Sequence, residues 1–133
     1  MSGAGATLPT ILAVFAGGGV GSCCRYGVSR LVARHYGGRY PLATSAINFS
    51  GSIALGFLLG VPPLHGSLLL LLLGTGVLGG YTTFSTAALE TMLLLRDGSW
   101  GAAVAMWVGG ALLGLLGADL GLTLAAALWP GTV

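Results

Sequence analysis

The chain has 133 residues, of which 55% are hydrophobic and only 6% charged, with a mean hydropathy of +0.94. A soluble domain carries a polar skin in which roughly a quarter of the residues are charged, so five Arg, no Lys and three acidic residues exclude that class. The net charge is +2, and the Arg fall in two groups, a distribution that sets membrane topology rather than making a nucleic-acid surface.

One helical span needs roughly 20 apolar residues. The length therefore predicts an all-α integral membrane protein of four spans with short connections and no separate soluble domain. Polar and apolar residues do not alternate over long stretches, as a β-barrel would require. The two cysteines, Cys23 and Cys24, are adjacent and give neither a CxxC redox motif nor a zinc spacing. The N-terminal MSGAGATLPT has no basic stretch, so no cleaved signal peptide is expected.

The first helix is expected over residues 8–34, apolar or Gly at first, with Arg25, Arg30 and Arg34 in its last third. The segment HYGGRYP, residues 35–41, has the Gly pair and Pro of a loop. A second helix is expected over residues 42–60, with one amide, Asn48, in a small and apolar stretch. Pro62 and Pro63 in VPPLHG stop it.

The third helix, residues 67–95, is too long for one uninterrupted crossing. Its GTGVLGGYTTFST, residues 74–86, combines two adjacent Gly with four hydroxyls. Gly loses backbone entropy in a helix, and Ser and Thr offer competing hydrogen bonds. A break is therefore expected near residues 79–83, with half-helices over 67–78 and 84–95. A broken helix in a membrane lines a cavity or a site, because its freed backbone groups need partners. After the loop RDGS, residues 96–99, a fourth helix is expected over 100–128, interrupted by small residues and carrying Asp119 near its far end. Trp100, Trp107 and Trp129 are candidate interface anchors. Small residues recur four apart at Gly17 and Gly21, at Ser52, Gly56 and Gly60, at Gly76 and Gly80, and at Gly110 and Gly114. That spacing aligns smooth faces for close helix approach.

Several polar residues stand where lipid would otherwise leave them unsatisfied. The Asn48 amide either joins two helices or faces a hydrated anion path as a donor. The hydroxyls of YTTFST either cap a chain break or help bind an ion. Carbonyl oxygens at such a break favour a hard cation such as sodium, while N–H and O–H groups favour an anion. Phe84 either packs simply or offers its positive ring edge to a passing anion. Arg25 either snorkels to the interface or makes an electropositive vestibule. For Glu90 a salt bridge to an Arg is expected.

Three of these segments resemble the Fluc, or CrcB, family of fluoride channels. They are GGGVGSCCRY at 17–26, ATSAINFSGSIALG at 43–56 and GTGVLGGYTTFST at 74–86. The resemblance implies an antiparallel dual-topology dimer in a bacterial plasma membrane, with two pores that release fluoride passively from the cytoplasm. It implies a structural Na+ at the dimer centre, held by backbone carbonyls of Gly79 and Thr82. Asn48 and Phe84 would line the pore with Ser85 and Thr86, and Arg25 would sit near the aqueous vestibule. Two departures stand out. Ala87 lies where the family has a second Phe, and WVGGALLGLLG, residues 107–117, lacks the family's mid-helix hydroxyls. The second subunit is therefore either a copy of this chain or a homologous chain with a fuller pore wall.

Two other function classes fit the sequence less well. A small multidrug or cation exchanger needs a buried carboxylate in its first helix, and this helix has none. A non-conducting accessory subunit would fit the Gly-rich packing and Ala87, but not the polar third-helix break. An enzyme is not expected, because no His or carboxylate cluster offers acid–base or metal chemistry.

Overall fold

The computed structural model describes residues 7–36 and 41–130. Gly37, Gly38, Arg39 and Tyr40, within the expected first loop, lie outside the described residues, as do the two ends. Four helical stretches are long and apolar enough to cross a membrane: Leu8–Tyr36, Leu42–Leu59, Leu68–Arg96 and Trp100–Leu128. The chain is a multi-pass membrane protein. We label the first two α1 and α2, the two halves of the third α3 (residues 68–81) and α4 (Phe84–Arg96), and the last α5.

Its burial pattern is that of a protein solvated by lipid. Large apolar side chains point outward, with Phe15 81% and Leu115 70% exposed. The interior is built from small groups. Gly17 and Gly21 of α1 lie against α3, where a methyl on Gly21 would overlap the Val77 carbonyl oxygen. Gly56 and Gly60 of α2 lie against α5, beside the Ala118 carbonyl and Ala125. The spacing of four therefore marks real contact faces, with one exception. Gly110 meets nothing within 4 Å, and the close approach on α5 is made by Gly117 and Gly121 against Phe49 and Ile53. The molecule is thus two tight pairs, α1 with α3 and α2 with α5.

The turns follow local chemistry. A 3-10 turn at Pro62–Leu64 ends in Gly66 at φ +73°. Helix α4 ends in a Schellman turn. Gly98 stands at φ +74°, its N–H bonds the Leu95 carbonyl and the Ser99 N–H bonds that of Leu94. Three details differ from expectation. Helix α1 continues to Tyr36, so His35 lies in its last turn and contacts the Leu31 carbonyl at 2.9 Å. Helix α5 runs unbroken for 29 residues. Its glycines cause no interruption, because in lipid a helix keeps its internal bonds and those facing α2 are needed for contact. Within α3, Leu71–Leu78 is π-helical, a wider winding that the apolar pattern did not announce.

Candidate ion site at the broken span

The third span breaks over two residues. Thr82 (φ −72°, ψ 158°) and Thr83 (φ −147°, ψ 125°) are extended, between helical Tyr81 and Phe84. The break is shorter than the sequence suggests, since Gly79 and Gly80 remain helical. For Gly80 the reason is packing, since a methyl there would overlap the Gly18 carbonyl of α1, whereas Gly79 has open space where a Cβ would be.

An extended pair inside a bundle must place its backbone groups somewhere. Asn48 of α2 takes both groups of Thr83. Its Nδ2 donates to the Thr83 carbonyl at 3.0 Å, and its Oδ1 accepts from the Thr83 N–H at 2.9 Å. The side-chain amide stands in for a neighbouring peptide. One hydrogen on Nδ2 is left over, since a primary amide has two. Thr83 is also the N-cap of α4, its Oγ1 accepting from the Thr86 N–H at 3.2 Å. The same hydroxyl reaches Thr86 Oγ1 at 3.0 Å and Ser85 Oγ at 3.3 Å. On the α3 side, the Thr82 N–H and Oγ1 both donate to the Leu78 carbonyl at 2.9 Å. Arg25 Nη1 donates to the Thr82 carbonyl at 3.5 Å, and Ser22 Oγ to that of Gly80 at 3.4 Å. Arg25 therefore turns toward the break and, with α1 running on to Tyr36, lies well inside the helix.

These bonds leave carbonyl oxygens over. The Thr83 N–H goes to Asn48 and not to Gly79, and the Thr86 N–H goes to Thr83 Oγ1 and not to Thr82. Gly79 and Thr82 thus lose the donors an unbroken helix would give them, apart from the long Arg25 contact. Neutral carbonyl oxygens of this kind suit a hard monovalent cation. The guanidinium lies 3.5 Å from the Thr82 oxygen on one side. Among the described residues, no group of three or more His, Cys, Asp or Glu could hold a metal.

A cavity of about 470 Å³ opens beside the break. Asn48, Gly79, Thr82, Thr83 and Phe84 all line it. Ser85 and Thr86 do not. They lie exposed on the first turn of α4, next to the Thr83 cap. Arg25 is also absent from the lining, one hydrogen bond behind it through Thr82. The α2 wall holds residues that sequence reasoning passed over. Thr44 and Ser52 also face the cavity. They lie four residues before and after Asn48, and that i±4 spacing was a readable signal for one helical face. Trp107, taken above as an interface anchor, lines the cavity and meets Phe84 edge to face, with centroids 5.5 Å apart and planes at 76°. Glu90 makes no salt bridge within the described residues. Its Oε2 is buried without a hydrogen-bond partner there, while Arg25 is drawn to the break instead.

Comparison with known proteins gives the chain's family. The family model for "CrcB-like protein, Camphor Resistance (CrcB)" matches residues 12–122. A "Fluoride-specific ion channel FluC" from Opitutus terrae is 44% identical over 110 residues, covering 79% of this chain and 83% of that protein. The protein of that name from Beijerinckia indica is 45% identical over 122 residues, covering 88% and 96%. A third, from Methylobacterium sp., is 46% identical over 109 residues, covering 80% and 87%. These relatives are ion channels by name, and the chain is not an enzyme. With four spans, a polar break in the third, and a match that runs from the first span into the last, the chain belongs to the CrcB (FluC) family.

Proposed function

We propose that this chain is a subunit of a fluoride-selective channel that lowers cytoplasmic fluoride by passive efflux. The observation that carries the reading is the Asn48 clamp. A side-chain amide is fixed by two bonds to Thr83, with one N–H hydrogen left over, at a cavity also lined by Phe84. Fluoride is small and strongly hydrated. A path for it must replace water with donors already in place, so that ordering them costs little during passage. The spare Asn48 N–H, the hydroxyls of Thr44 and Ser52, and the Phe84 ring edge are such groups. Ser85 and Thr86 would extend the path along the start of α4. The Arg25 charge, one hydrogen bond behind the cavity lining, would make the path more favourable for an anion.

The assembly is an antiparallel dimer with two pores, and Na+ sits at its centre. Gly79 and Thr82 would hold the ion through their carbonyls, fixing two broken spans against each other. Fluoride efflux from liposomes containing only this chain tests the reading. Rapid fluoride release with chloride retained is the expected result. No release above protein-free liposomes would overturn the homomeric channel. Replacing sodium with N-methyl-D-glucamine throughout purification should lower thermal stability in detergent if the carbonyl site is occupied.

A second reading is favoured by one observation. Arg30, Arg34 and Arg96 fall at one end of the bundle, and in the sequence Arg39 stands between α1 and α2, outside the described residues. A chain biased to one orientation would need an oppositely oriented homologous partner, either as the other half of a conducting heterodimer or as the conducting subunit that this chain accompanies. Co-expression with such a partner, followed by the same assay, separates the two readings.

A further inference from the structure

One helical turn beyond Phe84 the cavity wall is Ala87, a single methyl group. The space beside it is bounded by Trp107 of α5. The two rings meet at 5.5 Å and 76°. In a T-shaped contact the positive edge of one ring rests on the negative face of the other. The two rings therefore rest against each other at the cavity wall.

Membrane anchoring explains Trp107 poorly. It lies seven residues into α5 from Trp100, roughly 10 Å deeper at 1.5 Å per residue. Its indole N–H is a donor with no acceptor counterpart. Among the described residues it makes no hydrogen bond. A donor at that depth is costly without a polar partner. The adjoining α5 lining, Gly110 and Ala111, has no polar side chain.

We propose that Trp107 is the second aromatic of the ion path, offering its ring edge and indole N–H to the anion where Ala87 leaves room. The inference rests on the fluoride-channel reading and adds a residue to it.

Efflux from liposomes reconstituted with each variant tests it, at matched incorporation and matched elution in detergent. Trp107→Ala should slow fluoride release about tenfold, a factor within reach of one aromatic edge and one donor. Trp107→Phe keeps the ring but not the N–H and should fall between. The double variant Trp107→Ala, Ala87→Phe should recover most of the loss, because it returns a ring to the cavity from the other helix. A Trp kept only for packing would not be rescued across the cavity in this way. Wild-type efflux that is lost in Phe84→Ile but unchanged in Trp107→Ala overturns this inference and leaves the channel reading standing. No wild-type efflux, either from this chain alone or from this chain with a homologous partner of reversed orientation, overturns both. A second measurement does not depend on flux. With Trp100 and Trp129 replaced by Phe, lipids brominated along their acyl chains should leave the Trp107 emission largely unquenched. Strong quenching would place the indole in lipid and overturn the proposal.

Discussion

Asn48 and Phe84 face the same cavity but are held in place in opposite ways, and their variants should fail differently. Asn48→Ala removes both partners of Thr83. A buried backbone group left unsatisfied costs roughly 1–3 kcal/mol, and here two are exposed to that cost at once. The variant should therefore lose fluoride efflux and also melt at a lower temperature in detergent. Phe84 is 71% exposed and touches Trp107 by its ring edge or face. Phe84→Ile keeps apolar bulk and disturbs no hydrogen bond, so its melting temperature should stay near that of the wild type while efflux falls. Undiminished efflux in both variants, at equal incorporation, would remove both residues from the path. The Asn48 result also bears on two readings that the sequence left open, a helix–helix bond or a donor for an anion. The structure forms the first with one amide hydrogen to spare, so the two roles are compatible.

At the level of the third span, Gly79 and Gly80 look alike in sequence and are not alike in the fold. Gly80 is pressed on the α1 backbone at Gly18, whereas nothing lies within 4 Å of a Cβ at Gly79. Overpacking a tight contact costs typically 1–3 kcal/mol. Gly80→Ala should thus lower the melting temperature and the yield of folded protein. Gly79→Ala should leave the yield of folded protein nearly unchanged, and a comparable loss of yield in the two would contradict the packing assignment. This pair also marks how far the sequence could be read. Four spans were legible because hydropathy is summed over many residues, and the break was legible because GGYTTFST sets two Gly and four hydroxyls in mid-span. The two Gly could not be assigned, because a Gly that permits unwinding and a Gly that permits contact have the same composition. The π-helical stretch at Leu71–Leu78 was hidden for a related reason. Its apolar residues satisfy any helical winding, and only the packing against α1 distinguishes them. Thr44 and Ser52 were legible from their spacing to Asn48. The role of Trp107 was not, since it depends on which residue of a different helix stands opposite.

For the molecule as a whole, the open question is which way it inserts. With four spans, the loop after α1 and the turn after α4 share one side of the membrane. Arg30 and Arg34 are exposed in the last two turns of α1, and Arg96 is exposed at the end of α4. Arg39 lies between α1 and α2, outside the described residues. The opposite side, comprising residues 1–7, 61–66 and 129–133, has no Lys or Arg. Arg25 drops out of the comparison, because its guanidinium is committed to the Thr82 carbonyl inside the bundle. Asp97 beside Arg96 changes little, since the rule counts Lys and Arg and not net charge. The bias is then four Arg to none, named above. Short loops rich in Arg stay cytoplasmic, so the chain should insert mainly with both termini outside. A chain that forms an antiparallel dimer with itself needs both orientations in similar amounts, so this bias opposes self-pairing and favours a homologous partner of reversed bias. One cysteine decides between them. Cys23 and Cys24, both exposed, are replaced, a single Cys is placed at Gly38, and intact cells expressing only this chain are treated with an impermeant thiol reagent. Near-absence of labelling before lysis, with full labelling after it, is the expected result. Labelling of roughly half the copies from outside would mean that both orientations are made, that four Arg are too weak a signal in so short a loop, and that the chain can supply both halves of its own dimer.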